Sequence, residues 1–196
     1  MEGLTLLARF AFGAANNEDC ICPFKSKKII ELEQEIKTNI KLEEGNLYEN
    51  IRKISRENPL SLETVEAYVI GNKISLSNHK LHHNYAVLKI LEKLPNLNNN
   101  ESFKEKTRNC LITPGIYNGK SINTFSSKIV KNPFELQLER GDMVLIHYNS
   151  ALTKINEKQY ETLKEITEKI IGNIPNNEWI KQQFPTLEKL QPIQDA

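Results

Sequence analysis

The hydrophobic residues of this chain change their spacing near residue 109, and that change limits the folds it can adopt. Before it, apolar residues recur every three or four positions. Leu4, Leu7, Ala8 and Ala11 share one face of a short helix, and Ile29, Leu32, Ile36 and Ile40 share another. Leu47, Ile51 and Ile54 predict a third, ending before Asn58-Pro59. Ser61 is placed as an N-cap with Glu63 in the first turn, Leu62, Val65, Tyr68 and Val69 form the inner face, and Gly71-Asn72 closes that helix. A further helix is expected over His83–Leu94. After residue 109 the signals are those of strands. Cys110–Ile116 and Ser121–Val130 flank the hairpin dipeptide Asn118-Gly119. Phe134, Leu136 and Leu138 alternate with polar residues, and Met143–Tyr148 is a continuous apolar run. Period-two counting places Met143, Leu145 and His147 on one face of that run, with Val144, Ile146 and Tyr148 on the other. A helix capped by Asn156 follows, with Tyr160, Leu163, Ile166 and Ile170 inward.

The expected fold class is therefore α+β: an N-terminal helical domain over residues 1–95, a polar linker over 96–108, a small OB-like β-barrel with its C-terminal helix over 109–172, and a helical tail over 173–196. The chain has 196 residues, enough to bury a core without disulfides or metals as staples. Residues 1–108 hold 16 Lys/Arg against 15 Asp/Glu and residues 109–196 hold 10 against 10, so neither half has the basic excess of a nucleic-acid binder. Three cysteines at Cys20, Cys22 and Cys110 do not make a disulfide framework. Glu2 and Arg9 break the apolar N-terminus, which argues against a signal peptide, and no run reaches the roughly 18 apolar residues of a membrane span. These features point to a cytoplasmic protein.

Few residues carry candidate chemistry. Cys110 is either a small buried hydrophobe or a thiolate able to bind a soft metal at a strand edge. His147 closes an apolar strand and is either packed with one hydrogen bond or a ligand. His79, His82 and His83 form an H-x-x-H-H cluster that can present two imidazoles on one helical face, but no carboxylate stands where a zinc hydrolase needs its general base. Cys20 and Cys22 are spaced C-x-C, with no second pair to complete a zinc site. No phosphate loop, dinucleotide fingerprint or nucleophile elbow is present, so an enzyme is not expected.

The second half resembles the small hydrogenase assembly chaperones of the HypC/HupF type. Cys110-Leu111-Ile112-Thr113-Pro114-Gly115 is similar to their opening C-L-A-I-P-G. Gly141-Asp142-Met143-Val144-Leu145-Ile146-His147 is similar to their G-D-Y-V-L-V-H, and the likeness covers roughly residues 109–171. The first half resembles an uncharacterised family with A-R-Y-A-F and V-E-A-Y-W-I-G-N motifs, here Ala8–Phe12 and Val65–Asn72, with Val69 in place of the usual Trp. The chaperone resemblance implies a carrier of an iron centre bearing cyanide and carbon monoxide ligands. Its partners would be a hydrogenase maturation protein or a hydrogenase large-subunit precursor, with no nucleic acid and no membrane. Cys110 and His147 are then the metal residues, Pro114 and Gly115 the partner-binding residues, and Cys22, His82 and His83 weaker candidates. In that family the cysteine begins the mature protein. Here it is internal and has no free amine. The alternative is a protein-interaction or regulatory module in which Cys110 is structural.

Overall fold

A computed structural model of the chain describes residues 2–16, 24, 26–42, 46–93, 101–124 and 129–173. Among the described residues the helices of the first half are α1 (Gly3–Ala15), α2 (Ile29–Leu42), α3 (Asn46–Ile54), α4 (Leu62–Val69), α5 (Lys73–Ser77) and α6 (His83–Lys93), with a 3-10 turn at His79–Leu81. Their inner faces follow the helical spacing. Leu6, Leu7, Phe10 and Ala11 of α1, Leu32, Ile36 and Ile40 of α2, and Val65, Tyr68 and Val69 of α4 are all buried, whereas Leu62 is exposed. The Ser61 side chain accepts a hydrogen bond from the Thr64 N–H, satisfying one of the orphan donors of α4. Gly71, at φ +106°, turns the chain out of α4, and the Asn72 side chain then caps α5 in a reciprocal capping box with Ser75.

Helix α7 (Glu101–Cys110) lies where the sequence predicts the end of a linker and the start of a strand. Cys110 is therefore the last residue of a helix rather than the edge of a strand. The sheet begins three residues later with β1 (Thr113–Tyr117), followed by β2 (Ile122–Asn123), β3 (Met143–His147) and β4 (Ser150–Ile155), and α8 (Glu157–Gly172) completes the described chain. The strands form an antiparallel sheet in the order β2-β1-β3-β4. It is open, so the α+β class holds and the expected OB-like barrel does not close among the described residues.

Three strand expectations change, and that over Ser121–Val130 is reduced among the described residues to Ile122–Asn123. Phe134, Leu136 and Leu138 keep the alternating burial but form no strand. Asn132 ties the backbone there, its side chain accepting from Leu136 N–H and donating to Leu136 O, while the three apolar side chains still pack on the core. Strand β3 also runs not directly into a helix but through a two-residue hairpin into β4. Its loop, Tyr148 and Asn149, has φ of 47° and 58°, the left-handed geometry of a type I′ turn built without glycine. The period-two face assignment holds from Met143 to His147 but fails at Tyr148, which lies in the turn and joins the main core instead of the Val144 and Ile146 face. Leu145 joins the main core with Met143 packed against it, and Val144 and Ile146 lie in a separate cluster on the opposite face.

One apolar cluster runs from α1 through α2, α3 and α4 to Ile112, Leu145, Leu152 and Leu163, so residues of both halves share a core. Helix α8 is capped by Asn156, reciprocally with Gln159, and buries Tyr160, Leu163, Ile166 and Ile170. Cys20, Cys22 and residues 174–196 lie outside the described residues. No helix among the described residues is long and apolar enough to cross a membrane.

Candidate metal centre

The C-terminus of α7 is fastened by the first residues of α6. Asn84, fully buried, accepts from Ile112 N–H at 2.8 Å and donates to Ile112 O at 2.9 Å, acting as a strand would. Its amide also donates to Thr167 Oγ1 at 3.3 Å. His83 Nε2 donates to the carbonyl oxygen of Cys110 at 3.0 Å, one of the helix-end carbonyls that has no partner within the helix. The Tyr148 N–H donates to Asn109 O at 2.9 Å, joining the same helix end to the β3–β4 hairpin. Cys110, half-buried and packed against two apolar clusters, thus sits where α6, α7 and β3 meet.

His147, at the end of β3, is 0 % exposed. Its ring stacks on Phe10 of α1 with centroids 4.3 Å apart and 15° between planes. Nδ1 lies 3.0 Å from the Phe10 carbonyl oxygen. A carbonyl only accepts, so Nδ1 carries the proton and Nε2 holds the open lone pair. Nε2 is buried and has no hydrogen-bond partner of good geometry. Gly13 admits the ring, because a Cβ there would stand 2.9 Å from His147 O and 3.4 Å from its Nδ1. Burial lowers the basicity of His147, and the neighbouring Cys110 partly opposes this.

A ring nitrogen of His83, the sulfur of Cys110 and a ring nitrogen of His147 all lie within 4.8 Å of one another. His83 Nε2 is 3.9 Å from Sγ, and its Nδ1 is 3.2 Å from the Tyr68 hydroxyl. Phe10 packs beside both imidazoles, edge-on to His83 at 4.8 Å, while the two imidazoles themselves meet edge-on at 5.4 Å. One thiol and two imidazoles in a largely buried setting are a donor set that could hold a metal ion.

The sequence pair Cys110 and His147 therefore meets, but in a largely buried junction of helices and sheet rather than at a strand edge. The histidine cluster does not act together. His82 is buried on its own, with Nδ1 accepting from Asn84 N–H at 3.2 Å and Nε2 without a well-placed partner. Burial, with a smaller push from His83, lowers its pKa to about 3. His79 packs edge-on against Tyr85, and of the three only His83 reaches Cys110. Pro114 and Gly115 are buried within β1 against β3, and a side chain at Gly115 would run into Ile146 and Ile122, so neither is an exposed contact residue in this conformation. Phe10, Tyr68 and Asn84 support the site although none is among the candidate residues of the sequence. Phe10 and Tyr68 do sit inside the motif segments Ala8–Phe12 and Val65–Asn72, the signal that points to them.

Comparison with protein-family models, with curated proteins and with solved structures gives no match for this chain.

Proposed function

We propose that this protein holds a thiophilic metal ion or metal fragment at Cys110, His147 and His83 and passes it on without catalysing a reaction. The observation that carries the reading is the open, buried Nε2 of His147 beside a thiol, with its other nitrogen oriented by a carbonyl. Metal-binding histidines are fixed in this way by a partner on the second nitrogen. With metal–ligand bonds of about 2.0–2.3 Å, tetrahedral donors stand roughly 3.3–3.8 Å apart, so the three groups would draw together by about 1 Å. The half-buried Cys110 is the group through which cargo would enter.

The resemblance to hydrogenase assembly chaperones supports the same assignment and names a cargo, iron with cyanide and carbon monoxide ligands. It also names the partner class, a maturation protein or a large-subunit precursor. Cobalt(II) titration tests the site. A thiolate-to-cobalt charge-transfer band at one equivalent is expected, lost in Cys110→Ala with little change in the thermal midpoint. A Cys110→Ala variant that keeps the band, or that unfolds while the native protein shows no band, overturns the assignment.

A second reading is a protein-interaction module with a structural cysteine. It is favoured by the fact that both nitrogens of His83 already have partners within the protein. Site-resolved alkylation separates the two, because a Cys110 that resists alkylation in the native protein and binds no cobalt supports the module.

A further inference from the structure

We infer that the third donor of this centre is gated: His83 is held off the metal by its hydrogen bond to the Cys110 carbonyl, and Tyr68 is the positioning residue that lets its ring change tautomer and engage. The inference rests on the metal-holding reading above. Nε2 of His83 is 3.0 Å from an oxygen that can only accept, so in the neutral ring this nitrogen carries the proton. Nδ1 is then an acceptor, and the Tyr68 hydroxyl, 3.2 Å away, donates to it. A protonated nitrogen has no lone pair to offer a metal. Yet Nε2 is the atom that faces the sulfur, at 3.9 Å.

For His83 to ligate through Nε2, the proton there must leave to solvent and another must be taken up at Nδ1. The ring ends with the number of protons it began with. The new Nδ1–H, in a pocket where His83 is 5 % exposed, needs an acceptor. A phenolic hydroxyl both donates and accepts, so Tyr68 turns its O–H away and accepts through oxygen. His147 needs no such change, because its Nδ1–H already points at Phe10 O and its Nε2 is open.

The centre therefore has one donor that is ready, His147, one that binds on releasing its thiol proton to solvent, Cys110, and one exchangeable donor, His83. Engaging the third withdraws the hydrogen bond from the last carbonyl of α7, which opposes full closure on the metal. Such a site captures with two ligands, tightens to three, and releases by the reverse path, as a carrier requires and a storage site does not.

Nitrogen-15 labelling of histidine in the full chain, read by long-range proton–nitrogen correlation with and without one equivalent of zinc(II), tests the gate. Without zinc, His83 is expected to be protonated at Nε2 and His147 at Nδ1. With zinc, His83 should be protonated at Nδ1 while His147 is unchanged. Tyr68→Phe removes the acceptor for the new N–H and should weaken zinc binding by about ten- to a hundredfold, with Cys110 and His147 still ligating. If His83 stays protonated at Nε2 while zinc is bound by Cys110 and His147, the gate is overturned and the metal-holding reading stands for Cys110 and His147 alone. If a folded Tyr68→Phe binds zinc as tightly as the native chain, the role of Tyr68 is overturned. If the native chain binds no zinc at all, both readings are overturned.

Discussion

Replacing Asn84 by alanine should be among the most destabilising changes a polar residue of this protein can suffer. The Asn84 side chain is the hydrogen-bonding partner of both the N–H and the C=O of Ile112, and Ile112 and Asn84 are both fully buried. Alanine removes the amide and leaves two backbone groups without partners. Each orphaned buried group costs about 1–3 kcal/mol, so the expected loss is about 2–6 kcal/mol. That is a large part of the roughly 5–15 kcal/mol that holds a domain folded. Ile112 is two residues from Cys110, so the same change should loosen the end of α7 and speed alkylation of Cys110. Asn84→Asp sharpens the test. It keeps the acceptor for Ile112 N–H but sets a second carboxylate oxygen against Ile112 O. Burial without a cation raises the pKa of such an acid in the folded state. A raised folded pKa means that its stability contribution is present at low pH and lost as pH rises through that value. The aspartate variant should therefore improve relative to the alanine variant as pH falls, because the protonated acid can donate to Ile112 O. Urea unfolding of the three proteins at two pH values measures all of this. A loss below about 1 kcal/mol for Asn84→Ala would refute the reasoning, since Ile112 would then have to be satisfied by other means.

Two further predictions concern the same region. Gly13→Ala should destabilise the fold despite the gain in helix propensity of about 1 kcal/mol, because the new methyl presses on the backbone oxygen of His147. It should also weaken cobalt binding, and a variant at least as stable as the native protein would show that β3 yields freely. The buried histidines should make the protein acid-sensitive. His82 titrates near 3 in the folded state against about 6.5 when unfolded, so the unfolded chain binds protons first as pH falls. Stability from this source is complete above pH of about 6.5 and declines below it by up to about 1.4 kcal/mol per pH unit, with the lowered His147 adding in the same direction. Urea midpoints that do not fall between pH 7 and pH 5 would contradict this.

The helices and their inner faces could be read from the sequence because a helix exposes its periodicity locally. Leu32, Ile36 and Ile40, or Tyr160, Leu163 and Ile170, declare their common face by spacing alone, and Ser61 and Asn156 declare the caps. The sheet was less legible. Tyr148 and Asn149 make the β3–β4 turn in left-handed geometry without the glycine that usually marks it, so β4 had no visible start. Residues 134–138 alternate as a strand does, but Asn132 holds their backbone in a loop. Cys110 carried the strand composition that follows it and is nonetheless the end of a helix.

Spacing and composition reveal the α+β character, the caps of α4 and α8, the two faces of β3 and the candidacy of Cys110 and His147. These are properties of neighbours along the chain. Packing between distant elements sets the rest: His83 rather than His82 reaches Cys110, Phe10 supports His147, and Tyr68 faces the other side of His83. His82 stands in extended backbone just ahead of α6 and His83 is the first helical residue, so the two side chains leave the chain in different directions. One of two neighbouring histidines can therefore be sealed alone beside Asn84 while the other turns to a cysteine 27 residues away, and no spacing rule distinguishes them before the helices pack.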